Sequence, residues 1–149
     1  MIARLRGQRV YVDANVIVYS VEGFEKYAGV ARALLSAAEQ DEYAVVTSEL
    51  TLAEAIVVPH RNGQPEIVAA YEGMLRSRRS FEVVPVSRVI LRLSGSLRAS
   101  IGGKLPDSIH GATATVSNCA LLVTADRTFR SPPGLELVLL DDLLPNRNG

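Results

Sequence analysis

The chain has no tryptophan, one cysteine, two histidines and only two lysines among its 149 residues. One cysteine, Cys119, cannot close an internal disulfide and fits a reducing compartment. With only two histidines beside it, soft ligands are too few for a structural zinc site. No apolar run approaches the roughly 20 residues of a membrane-spanning helix. The N-terminal MIARLRGQRV carries positive charge but no apolar stretch behind it, so no signal peptide is expected, and the chain reads as cytoplasmic. Net charge is zero, so no global basic field advertises nucleic acid. Repeats, linkers and low-complexity runs are also missing.

What remains is a globular composition, 48% hydrophobic and 21% charged, long enough for one domain with a proper core. The single domain is expected to span 1–149, with its core at about 10–140, a short extension at 1–8 and a frayed tail at 145–149. Fourteen of the 16 basic residues are arginine. Arginine's planar fork suits phosphate, although a high-GC genome produces the same bias.

Hydrophobic patterning alternates between strand and helix. Strands are expected at Arg9–Asp13, Tyr43–Thr47, Phe81–Val86, Ala120–Thr124 and Leu135–Leu140. Between them, helices are expected at Phe24–Glu39, from Ser48 or Thr51 to a bend or end at Pro59, and from Pro65 to about Arg78. Two more follow. One is capped by Ser87, with Val89, Ile90, Leu93, Leu97 and Ile101 inward and Gly102-Gly103 stopping it; the other runs from Pro106-Asp107 to Asn118. Phe24, Tyr27, Ala31, Leu34, Leu35 and Ala38 share one helix face, and Thr51 and Glu54 have capping-box spacing. Alternation of this kind predicts a three-layer α/β/α sandwich, Rossmann-like, around a parallel sheet of about five strands. The strands are nearly continuous aliphatic runs, as doubly covered parallel strands should be.

In such sheets the functional edge lies at the carboxyl ends of the strands. There the stretch VYVDANVIVY places Asp13 among aliphatic neighbours, where an ionised carboxylate needs compensation. Glu54 falls in the helix after strand two, Asp107 opens the helix before strand four, and Asp126 directly follows strand four. All four acids therefore reach one edge, with Asn15 and Thr124 as hydrogen-bonding neighbours. Two unit charges ~4 Å apart repel by about 4 kcal/mol at an effective dielectric near 20. A hard cation relieves this, and oxygen ligands suit Mg²⁺ or Mn²⁺. No Ser-His-Asp or Cys-His arrangement competes, so the constellation reads as metal-assisted phosphodiester hydrolysis. Arg127 and Arg130 bracket the site and are placed to meet phosphate.

Each residue also has a plainer explanation. Asp107 alone reads as a helix cap, Asp126 as a turn residue, Glu54 as the end of its capping box, and Glu49 as a first-turn acid favoured by the helix dipole. Asp13 is hardest to dismiss, because strands disfavour Asp. His110, one turn into the Asp107 helix, reads as a partly buried structural histidine rather than a phosphate contact. His60 carries no signal, and Cys119 reads as a small core residue. Arg76, Arg78 and Arg79 read as a solvated helix end that could also meet RNA backbone.

These segments resemble the PIN domain family. VYVDANVIVY resembles its first motif, TSELTLAEAIV the second, KLPDSIHGATA the third and LLVTADRTF the fourth. Their order and spacing resemble the VapC-like branch, the toxin half of toxin–antitoxin pairs, and cover about Val10 to Leu140. The resemblance implies a Mg²⁺- or Mn²⁺-dependent endoribonuclease acting on single-stranded or looped RNA, often tRNA or rRNA. It implies that hydrolysis leaves a 5′-phosphate and a 3′-hydroxyl. Asp13, Glu54, Asp107 and Asp126 would be the catalytic, metal-binding acids, supported by Asn15 and Thr124. A homodimer and a small inhibiting antitoxin are implied too. One departure is Thr128, where this branch often carries a further acid; a second metal is then expected to bind weakly or only with substrate.

Other classes fit less well. A haloacid-dehalogenase-type phosphatase needs an acid where Asn15 stands, and a receiver domain needs an acidic cluster and a late lysine. The non-enzymatic alternative is a solitary PIN-like module that binds RNA or protein without turnover. A neighbouring gene for a short antitoxin-like protein discriminates a toxin from these.

Overall fold

The computed structural model describes residues 2–145. Five short runs of β-branched and aliphatic residues form its strands: β1 (Arg9–Val12), β2 (Ala44–Ser48), β3 (Phe81–Val84), β4 (Leu121–Thr124) and β5 (Glu136–Leu139). They make one all-parallel sheet in the order β3-β2-β1-β4-β5. The central strand is β1, where Val10 lies opposite Val45 of β2 and Leu121 of β4. Parallel neighbours need crossover connections, and helices supply most of them. The first is α1 (Ala14–Glu22) with α2 (Ala28–Glu39), and the second α3 (Leu50–Ala55), α4 (Val57–Arg61) and α5 (Pro65–Met74). The third, α6 (Arg88–Ile101) with α7 (Leu105–Val116), returns the chain from the sheet edge to the centre. A short α8 (Leu140–Leu143) follows β5.

Strand side chains alternate faces, and the two faces carry separate cores. Val10, Val12, Val45, Val123 and Val138 pack with Val16 and Ile17 of α1 and Leu34 of α2. On the other face Tyr11, Val46 and Leu122 pack with Ala114 of α7, and Ile90, Leu97, Ile109 and Ala112 join α6 to α7. This is the expected three-layer α/β/α sandwich, with strand boundaries within two residues of the sequence reading. Among the described residues no helix is long and apolar enough to cross a membrane.

Several local expectations change. Helix α1 is new: ANVIVYSVE is apolar nearly all round because α1 is covered on more than one side, so the one-sided period of a surface helix is lacking. It ends at Gly23, whose φ of 76° only glycine adopts freely and whose N–H reaches the Tyr19 carbonyl. Phe24 is 54% exposed and stacks on Tyr19 instead of entering a helix face. Val89 is 63% exposed, so the inner side of α6 rests on Ile90, Ser94 and Leu97.

Around Pro59 the chain bends at Ile56, and α4 starts afresh with Pro59 in its first turn. There no backbone N–H is required, and the ring's clash with the carbonyl four residues back falls on Ala55, where α3 ends. Helix α5 stops at Met74 rather than running to Arg78. The N-terminal extension contributes Leu5, fully buried in the core. The frayed tail expected at 145–149 lies, beyond Pro145, outside the described residues.

Candidate active site

Asp13 ends β1 and stands immediately before α1, its backbone extended at φ −83°, ψ 178°. Its N–H donates to the Val123 carbonyl of β4, which ties it to the middle of the sheet's carboxyl edge. The side chain is 6% exposed. The Thr124 hydroxyl donates to Asp13 Oδ2, while Oδ1 is the one buried side-chain polar atom among the described residues without a partner. Burial is the main force on the carboxyl, raising its pKa to about 6, and the nearby Asp107 charge adds to it; the Thr124 hydrogen bond and His110 oppose them. The awkwardness of Asp13 in the sequence thus has a structural counterpart.

The other acids arrive from three separate elements. Pro106 and Asp107 lie in the first turn of α7, a favourable place for both residue types, and the helix cap position belongs to Lys104 rather than to Asp107. Asp107 is half-buried, and its pKa is raised, first by burial and then by the charge of Asp126, with Glu54 adding a smaller push. Asp126 follows β4. Its N–H donates to Thr124 Oγ1, and its Oδ1 accepts from the Thr128 N–H (2.8 Å) and hydroxyl (2.6 Å), which hold its pKa down. Thr124 therefore joins two acids, donating to one and accepting from the backbone of the other.

Glu54 does not complete a capping box. Thr51 lies inside α3 and its hydroxyl pairs with Thr47 at 2.8 Å, while Glu54 Oε1 meets His110 Nε2 at 2.5 Å. Glu49 occupies the cap position of α3, exposed and outside its first turn. His110 is 2% exposed and cannot reach a phosphate. Asn15 is exposed in the first turn of α1 and bonds to none of the four acids. Arg127 donates to Asp141 of α8 at 2.6 Å. Arg130 donates to the Ile101 carbonyl and lines, with Lys104, Asp107 and Thr128, an open cavity of about 230 Å³ beside the acids. Sequence reasoning missed Lys104, which lowers the pKa of both Asp107 and Asp126. Its signal was position, three residues before Asp107.

Among the described residues no three His, Cys, Asp or Glu side chains converge as a ready-made cation cage. Asp13 Oδ1 and the Asp107 carboxylate await compensation, whereas Glu54 and Asp126 are occupied by His110 and Thr128. An orphaned buried carboxylate oxygen beside a second half-buried acid fits a hard, oxygen-seeking cation such as Mg²⁺ or Mn²⁺.

No curated protein matches the chain. Among solved structures, a toxin–antitoxin complex from Klebsiella pneumoniae is similar at 24% identity and a TM-score of 0.61, over 85% of this chain and 94% of that one. VapC20 of Mycobacterium tuberculosis, described as a sarcin-ricin loop cleaving toxin, is similar at 15% identity and a TM-score of 0.68, over 80% and 92%. VapBC2 from Rickettsia felis, bound to a promoter DNA fragment, is similar at 20% identity and a TM-score of 0.67, over 88% and 98%. At these identities the likeness establishes the fold. The PIN domain family model matches residues 10–135, from the strand that carries Asp13 to beyond Asp126, and the chain belongs to the PIN domain family.

Proposed function

We propose that the protein is a Mg²⁺- or Mn²⁺-dependent endoribonuclease and the toxin half of a VapBC-type pair. The observation that carries the reading is Asp13, a carboxylate buried at the carboxyl edge of the sheet with one oxygen unpartnered and Asp107 beside it. Family membership supports nuclease chemistry, and the toxin–antitoxin complexes among the structural relatives support an antitoxin partner. The whole chain is read as one domain, acting in the cytoplasm as a homodimer.

Asp13, Glu54, Asp107 and Asp126 are the residues that would hold the ion. When bound, a divalent cation makes water nucleophilic at neutral pH and neutralises charge on the phosphoryl oxygens. Around it the chain's own residues set the stage. Thr124 fixes Asp13 and the backbone of Asp126, and Lys104 and Arg130 flank the cavity where a phosphodiester would lie. Water attacks phosphorus, the bond to the 3′-oxygen breaks, and that oxygen takes a proton to leave as a hydroxyl. Asn15, exposed in the first turn of α1, is a candidate second supporter that has to turn inward to act.

The test is cleavage of total RNA and of labelled single-stranded RNA with Mg²⁺ or Mn²⁺, with EDTA, and with Asp13→Asn. Discrete cuts lost with EDTA and with the substitution are expected. The occupied states of Glu54 and Asp126 favour a second reading, a PIN domain that binds RNA or protein without cutting. Binding of the labelled RNA with no cut under either metal would establish that reading instead.

A further inference from the structure

Two buried groups reach the candidate site through one of its acids. Tyr11 and Asp13 are two residues apart on extended backbone and therefore share a sheet face, the one covered by α7. On α7, His110 is three residues beyond Asp107 and so lies on the same side of the helix. Tyr11 Oη is 2.6 Å from His110 Nδ1, and His110 Nε2 is 2.5 Å from Glu54 Oε1. Tyr11 is fully buried and His110 nearly so, while about a third of the Glu54 side chain is open to solvent.

Hydrogen-bond inventory gives this chain a direction. An ionised carboxylate only accepts, so the hydrogen between His110 and Glu54 sits on Nε2. At His110 Nδ1 the Tyr11 hydroxyl makes the second hydrogen bond, as donor to a neutral ring or acceptor from a charged one. Burial raises the Tyr11 pKa, so the phenol keeps its proton. Glu54 does not require this contact for its own solvation, since water reaches its side chain. The contact instead selects one orientation of a flexible side chain and uses one of its two oxygens.

We infer that Tyr11 and His110 form a buried hydrogen-bond relay that positions Glu54, engaging Oε1 so that Oε2 remains as the cation ligand. This rests on the reading of Glu54 as part of the metal site. Ligating carboxylates are commonly held by such outer partners, whose loss typically weakens metal binding by about 10–100-fold. Both are positioning residues; neither touches substrate.

The test uses the full metal-depleted chain, titrated with Mn²⁺ by calorimetry, with thermal melts to confirm folding. His110→Leu removes the donor at similar volume, His110→Gln restores an N–H near the Nε2 position, and Tyr11→Phe removes only the hydroxyl. Expected are an affinity loss of about 10-fold or more in His110→Leu, recovery of most of it in His110→Gln, and a smaller loss in Tyr11→Phe. Recovery by Gln separates positioning from bulk packing. Should His110→Leu fail to fold, His110→Gln and Tyr11→Phe decide the matter. Unchanged affinity in Tyr11→Phe together with no loss in the His110 variants overturns the inference. Tighter binding without His110 overturns it too, since the histidine would then be a competitor for Glu54. Nitrogen-detected NMR of the metal-free chain gives a readout independent of metal: a proton on His110 Nε2 is expected, and its absence overturns the relay. A wild-type chain that neither binds Mn²⁺ nor cuts RNA sinks the metal-nuclease reading itself, and the inference with it. Failure confined to the variants sinks only the inference.

Discussion

The two ends of the sheet differ in how fully their acids are compensated. At the amino edge four acids have a guanidinium: Arg9 meets Glu82 at 2.8 Å, Arg79 meets Asp41 at 2.9 Å, Arg78 approaches Glu39 at 3.8 Å, and Arg4 pairs with Glu136. At the carboxyl edge Asp141 has Arg127 and Lys26, but Asp13, Asp107, Glu54 and Asp126 gather with no arginine paired to any of them among the described residues, and one Asp13 oxygen has no hydrogen-bond partner. Electrostatic cost tolerated at one end and neutralised at the other marks where selection acted on something besides stability. The Arg76, Arg78 and Arg79 cluster lies just before the amino end of β3. All three serve local structure, with Arg76 on the Glu72 carbonyl, Arg78 over the Phe81 ring and on the Met74 carbonyl, and Arg79 on Asp41.

The sharpest way to break this contrast is Asp13→Asn. It keeps the shape and the Thr124 partner but removes the charge. Cleavage of labelled RNA in Mg²⁺ is expected to fall by more than about 100-fold, beyond the 10–100-fold typical of changes outside the first ligand shell. Activity within tenfold of wild type would return Asp13 to a structural role.

Next in size is the pH dependence of stability without metal. Asp13 moves from 3.8 in the unfolded chain to about 6 when folded. Between those values the folded chain binds more protons than the unfolded one, so stability falls as pH rises. The penalty is absent below about pH 4 and complete above about pH 6, reaching about 3 kcal/mol. Urea denaturation in EDTA at pH 4.5 and 7.5 should show this for wild type relative to Asp13→Asn, which lacks the titration. Addition of Mg²⁺ at pH 7.5 should restore stability to wild type and do little for the variant. A difference between the two proteins that does not vary with pH would mean the carboxyl titrates normally.

A third, smaller effect tests the thread between two acids. Thr124→Val removes the hydroxyl that donates to Asp13 Oδ2 and accepts from the Asp126 N–H. Leaving a second buried oxygen unsatisfied costs about 1–3 kcal/mol at pH 7.5. In the double variant with Asp13→Asn the costs should not add, because the group left stranded is then neutral. Simple additivity in urea denaturation would show that Thr124 acts on packing alone.

The carboxyl half of this contrast is legible in the sequence alone. Short aliphatic runs between turn residues marked all five strands, and the parallel-sheet rule sent Asp13, Glu54, Asp107 and Asp126 to one edge. Asp13 stood out because its apolar flanks made its charge expensive. Helix α1 did not stand out, for a buried helix shows no polar face. Glu54 was misleading. Its spacing from Thr51 fits a capping box, but Thr47 captures Thr51 and His110 captures Glu54 across the fold. Such partners are set by tertiary packing, as is the capture of Arg127 by Asp141, 14 residues further on.

The smallest effect belongs to the amino edge. Arg79 is 85% exposed and grips Asp41 through two nitrogens. Exposed pairs contribute about 0.2–1 kcal/mol, and salt screens them. Arg79→Ala should therefore lower stability by less than about 1 kcal/mol, by an amount that shrinks in high salt and does not depend on Mg²⁺. RNA cleavage should be unchanged. Weaker RNA binding with a reduced salt slope would show that this arginine leaves Asp41 for phosphate. The two ends of the sheet would then share one substrate, and the neutral pairing at the amino edge would be a resting state rather than a structural one.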